Sequence, residues 1–122
     1  MLRKTITYTD FNGNERTEDF YFNLTKAELT EMEMVTDGGL TNKLQRIVDT
    51  NDSKAMIDTF KDIICRAYGV KSEDGKRFVK NDELRNAFLQ SEAYSELFME
   101  LVTNPEASVA FVNGIIPQNL NK

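Results

Sequence analysis

One pair of residues, Asn12-Gly13, lies between two runs whose side chains alternate, and it constrains this chain more than any other feature. In the first run Leu2, Lys4, Ile6 and Tyr8 fall on one side and Arg3, Thr5, Thr7 and Thr9 on the other. Period two is the signature of a strand, and Thr, Ile and Tyr suit a pleated surface. Asn-Gly supplies the positive φ angles that a tight hairpin turn needs. The return strand is expected over Glu15 to Phe22, with Phe20 and Phe22 on one face and Tyr21 on the other. An isolated hairpin is marginal in water. This one must pack on helices, pair with further strands or pair with another chain.

After the hairpin the period changes to that of a helix. Thr25-Lys26-Ala27-Glu28 is a capping box, and Leu24 and Leu29 are placed for a hydrophobic staple around it. The helix it starts is expected to reach Val35, before the breaker Asp37-Gly38-Gly39. Leu40, Leu44, Ile47 and Val48 predict a second helix to about Thr50. Met56, Ile57, Phe60, Ile63, Ile64, Ala67 and Tyr68 form a wide apolar stripe, predicting a third helix over Ser53 to Tyr68 with Gly69 as its C-terminal cap. Ser72-Glu73-Asp74-Gly75, with Val70 before it and Phe78-Val79 after it, reads as a second small hairpin. Asn81 or Asp82 can cap a short helix carrying Leu84, Ala87 and Phe88. Ser91 can cap the next, with Tyr94, Leu97, Phe98, Leu101 and Val102 on one face. Pro105 opens a last helix that Asn113-Gly114 should end, leaving Ile115-Ile116-Pro117 extended and Gln118 to Lys122 as a polar tail. The expected fold class is α+β, mostly α: a β-hairpin over 1–24 and about six helices over 25–114, in a single domain of residues 1–117 with a tail over 118–122.

Composition narrows function mainly by exclusion. A chain of 122 residues with one Cys cannot form an internal disulfide. It has no His, the commonest general base and transition-metal ligand. Cys65 therefore lacks a base to activate it. Gly38-Gly39-Leu40-Thr41 lacks the spacing and the Lys of a phosphate loop. Asp49, Asn51 and Ser53 start like a calcium loop, but Lys54 and Phe60 stand where Gly and Glu are required. Glu28, Glu31 and Asp37 read as a solvated face. No catalytic, metal or cofactor site is expected. The net charge of −5 disfavours nucleic-acid binding. The local excess of Lys71, Lys76, Arg77 and Lys80 reads as a solvated loop. No apolar run approaches the ~18 residues of a membrane span and no secretory leader is seen, so a cytosolic location is expected.

What remains is apolar surface. The run Glu31-Met32-Glu33-Met34 could offer a partner-binding Met surface, but helical spacing makes Met32 core-facing. Eight Phe and four Tyr mostly serve packing. Tyr94, Phe98 and Phe111, with the apolar segment Ile115, Ile116 and Pro117, are the candidate partner-binding residues. The free edge of the hairpin offers a route to a homo-oligomer or to strand addition.

The run Tyr68-Gly69-Val70-Lys71-Ser72-Glu73-Asp74-Gly75-Lys76-Arg77-Phe78-Val79-Lys80 resembles a stretch found in tail assembly chaperones of long-tailed phages and prophages of Gram-positive bacteria. Phe88 to Tyr94, Ala110 to Pro117, Asp10 to Gly13 and Phe22 to Glu28 are similar to the same family, so the resemblance covers most of residues 5–117. It implies a non-catalytic role in the host cytoplasm: binding the tape measure protein, keeping it soluble and helping recruit major tail tube protein subunits, then leaving before the virion matures. The alternative is a small structural tail component, a completion or connector protein retained as a ring. The family has no catalytic motif to carry over.

Overall fold

The computed structural model describes residues 1–35, Asn42, Arg46, Asp49 and residues 53–115. Strands β1 (Leu2–Thr9) and β2 (Glu15–Phe22) pair antiparallel from Leu2 opposite Phe22 to Thr9 opposite Glu15. The expected alternation holds. Ile6 and Phe22 are buried and Leu2, Tyr8 and Phe20 pack against them, while Arg3, Thr5, Thr7 and Thr9 are exposed. The turn differs from a two-residue hairpin centred on Asn12-Gly13. The Gly13 N–H donates to the Asp10 carbonyl at 3.0 Å, so Phe11 and Asn12 are its central residues and Gly13 follows them with a positive φ, +84°. The cause is Asp10, whose carboxylate accepts from the Asn12 and Asn14 amides at 2.9 and 3.0 Å and from Arg16 Nε at 2.5 Å.

Helix α1 (Lys26–Val35) begins at the predicted capping box. The Glu28 N–H donates to Thr25 Oγ1 at 3.1 Å, and the Thr25 N–H donates to Glu28 Oε1 at 3.0 Å. Leu24 and Leu29 are both buried, as a staple requires. The helix expected from Leu40 to about Thr50 lies outside the described residues, apart from Asn42, Arg46 and Asp49, which are helical and exposed.

Helix α2 (Ser53–Ala67) stops one residue short of the expected end. Tyr68 instead opens strand β3 (Tyr68–Lys71) and pairs with Phe22, and the Asn23 N–H donates to the Ala67 carbonyl at 2.8 Å. Gly69 is therefore not a helix cap. It is a buried strand residue over which Phe78 of β4 (Phe78–Val79) lies. A Cβ on it would meet the Phe78 ring at 2.6 Å and the Val79 carbonyl oxygen at 2.8 Å. The second hairpin forms as expected, with Gly75 at φ +75°. It does more than expected, because the two hairpins join into one antiparallel sheet in the order β1-β2-β3-β4.

Three helices complete the described chain: α3 (Asp82–Leu89), α4 (Glu92–Thr103) and α5 (Pro105–Ile115). Five helices are described, against about six expected, and the α+β class holds. Asn81 caps α3, accepting from the Leu84 N–H at 2.8 Å. Ser91 has cap geometry before α4, but its hydroxyl turns back to the Phe88 carbonyl at 2.6 Å. Asn104 serves both sides of its turn: its side chain accepts from the Glu106 and Ala107 amides at 3.1 and 3.2 Å. Helix α5 runs through Asn113-Gly114, where the helix was expected to end, to Ile115. Gly114 gives Leu2 room, since a Cβ there would lie 2.9 Å from Leu2 Cδ1. Helix α4 lies across β1 and packs on α2, α3 and α5, so Leu97 and Leu101 share one core with Ile6, Phe22, Ile63 and Ile64. Among the described residues no helix is long and apolar enough to cross a membrane.

Candidate functional site

Two features stand out on this frame: an array of aromatic rings between sheet and helices, and a charged cleft beside it. The array follows from the strand period. Phe20 and Phe22 share the inner face of β2, and Tyr68 lies opposite Phe22 on the same face. Phe88 of α3 stacks on Tyr68 at 4.4 Å and meets Phe20 and Phe22 at 5.3 and 5.8 Å. Phe22 meets Phe111 edge-on at 5.2 Å. Tyr94 meets Phe88 at 5.8 Å and Phe98 at 5.7 Å. Separations and tilts of this kind suit aromatic quadrupoles.

The candidate partner-binding residues fall into three groups here. Tyr94 and Phe98 sit together on α4, half-buried at the margin of the array. Burial pushes the Tyr94 hydroxyl above its ordinary pKa, with the nearby Cys65 adding to the effect. Phe111 and Ile115 are core residues, 3% and 1% exposed. The extended conformation expected for Ile115 is replaced by the last turn of α5, where its carbonyl accepts from the Leu24 N–H at 3.0 Å. Ile116 and Pro117 lie outside the described residues.

The cleft, of about 390 Å³, is bounded by Glu28, Glu31 and Met32 of α1, Arg66 of α2, Lys80, and Arg85 of α3. Sequence reasoning assigned Glu28, Glu31 and Lys80 to solvated surface and did not join them. Lys80 is not a solvated loop cation. Its ammonium donates to Glu28 Oε2 at 2.6 Å and to the Asn23 carbonyl at 2.8 Å, and lies 5.7 Å from the Phe78 ring centre. Burial alone would raise the Glu28 pKa. The Lys80 ammonium and the Thr25 amide outweigh it, and the carboxyl is held below its ordinary value. Arg85 donates to the Cys65 carbonyl at 3.0 Å and pairs with Asp82 at 2.8 Å; Arg66 pairs with Asp62 at 3.0 Å. These contacts span 52 residues in sequence for Lys80 with Glu28, so no local spacing announces them. The capping role of Glu28 was legible; its second role as counter-ion was not.

Cys65 is half-buried, and burial raises its thiol above the ordinary range despite Arg85 and Lys61 nearby, so it remains a thiol at neutral pH. Among the described residues no three His, Cys, Asp or Glu side chains gather as a metal site.

A protein-family model described as phage tail assembly chaperone matches residues 1–122, the whole chain. The protein belongs to that family. No curated protein and no solved structure matches the chain. Membership in a family of tail assembly chaperones implies tail proteins as partners and a role in tail assembly.

Proposed function

We propose that this chaperone binds the tape measure protein of its phage, keeps it soluble and helps recruit tail tube subunits around it, without catalysis. The observation that carries the reading is the family match over residues 1–122. A tape measure protein presents apolar helical surface until the tube encloses it, and an apolar helix face docks onto a surface of matching chemistry. Half-buried Tyr94 and Phe98 are the described residues proposed to meet such a helix. Phe111 and Ile115 hold α5 in the core, and Ile116 and Pro117, next in the sequence, are further proposed binding residues. The net charge of −5 adds repulsion between loaded complexes, which favours solubility. The protein acts in the host cytoplasm and leaves before the virion matures.

Co-expression with the tape measure protein tests this. The expected result is that the tape measure protein moves to the soluble fraction and copurifies, and that Phe98→Ser with Tyr94→Ala reduces capture while the fold persists. An insoluble tape measure protein beside a chaperone that elutes alone would overturn it. Recovery of this chain as a ring in purified virions would make it a structural tail component instead.

A further inference from the structure

We propose that β1 is a homodimer interface, pairing antiparallel with β1 of a second copy about a two-fold axis through Ile6. Strand β1 is the first of the sheet order, and among the described residues no strand pairs with its outer edge. Asp10 N–H donates to the Asn14 carbonyl at 2.8 Å, which fixes the phase of the β1–β2 ladder. Antiparallel pairs alternate between hydrogen-bonded and non-bonded. Tyr8, Ile6, Lys4 and Leu2 therefore point their backbone groups at β2, and Arg3, Thr5, Thr7 and Thr9 point theirs outward. Edges of this length are usually blunted by proline, a bulge or an unpaired inward charge. The strand Leu2–Thr9 has no Pro and an unbroken register, and its one inward charge, Lys4, is neutralised by Glu100 at 2.7 Å.

The occupant is a second copy because the segment complements itself. Residues on one face pair across a two-fold axis only if their numbers sum to an even value. Centring on Ile6 sets Arg3 opposite Thr9, Lys4 opposite Tyr8 and Thr5 opposite Thr7, with no like charges facing. The same register brings the Met1 end of one copy beside the Phe11 turn of the other. Among the described residues Met1 and Phe11 are two of the most exposed large apolar ones, 60% and 77%, and they flank β1 at its two ends. Phe11 is held in place there by the Asp10 hydrogen bonds to its turn. The inference is independent of the tape measure reading.

The test is the mass of the full chain by light scattering from micromolar to near-millimolar concentration, with Thr7→Pro beside it. Thr7 turns its N–H outward, so proline removes an intermolecular bond and no ladder bond within the hairpin. Twice the 14.0 kDa of one chain for the wild type, and a folded Thr7→Pro chain at 14.0 kDa, is the expected result. Phe11→Ser is expected to weaken association about tenfold. A wild type that stays at one chain mass throughout overturns the proposal, and that outcome includes an edge kept for a strand of another protein. A Thr7→Pro dimer overturns it too, and an unaltered Phe11→Ser dimer overturns the register. If Thr7→Pro fails to fold, hydrogen exchange on the wild type decides. Outward amides at Arg3, Thr5, Thr7 and Thr9 should slow about tenfold or more at high concentration, with Ile6 unchanged. Equal rates at both concentrations overturn it.

Discussion

At Gly69 an added methyl group would have to displace both the Phe78 ring and the Val79 carbonyl. The ring can swing, but the carbonyl belongs to a paired strand and cannot. Gly69→Ala is expected to cost about 1–3 kcal/mol, the range for overpacking a filled site. Gly13→Ala meets open space and pays only for its φ of +84°, about 1–2 kcal/mol. Urea denaturation of the two variants checks the order, and a Gly69→Ala milder than Gly13→Ala would refute the close approach. The strand role of Gly69 was hidden because a Gly after an apolar helical stripe reads first as a cap. Only the arrival of Phe78 and Val79 from a later turn distinguishes the two uses.

Helix α1 is where the charged cleft meets local chemistry. Thr25→Ala removes the acceptor for the Glu28 amide and is expected to cost about 1 kcal/mol. Glu28→Gln keeps a group that reaches back to Thr25 but loses the charge facing Lys80. The folded pKa of Glu28 lies below its unfolded value. Its stabilisation is in place above the unfolded carboxylate range and drains away as pH falls through the lowered folded value. Thermal melts below neutral pH should fall more steeply for the wild type than for Glu28→Gln. Parallel curves would mean that Lys80 and Glu28 do not act as a pair in solution. Helix α5 rests on Asn104 in the same way, and Asn104→Ala should cost about 1 kcal/mol by thermal or chemical unfolding.

Phe22 is where the whole molecule meets. It is 0% exposed and its ring touches Tyr68, Phe88 and Phe111, from β3, α3 and α5. Phe22→Ala is expected to cost about 3–5 kcal/mol, a large share of the ~5–15 kcal/mol that holds a chain of this size. Phe98→Ala, at the half-buried margin, should cost clearly less in the same denaturation experiment. If the two are equal, Phe98 is core rather than surface. The comparison also separates partner loss from unfolding when the tape measure protein is tested.

The sequence by itself determined what depends on neighbours in the chain. The β1–β2 hairpin, the capping box at Thr25, the stripe on α2, the turn at Gly75 and the Pro105 start all rest on spacings of two to four residues or on one residue's own backbone preference. The tertiary structure alone decided what depends on encounters far apart. It joined the two hairpins through Phe22 and Tyr68, buried Phe111 and Ile115 within the core, and turned Lys80 from a loop cation into the partner of Glu28. It left Tyr94 and Phe98 only half-buried at the margin of the core although they carry the same apolar signal as their buried neighbours. The reason is that apolarity drives burial without direction. Which apolar residue finds a partner, and which is left facing solvent, is settled only when the sheet and helices have taken their places.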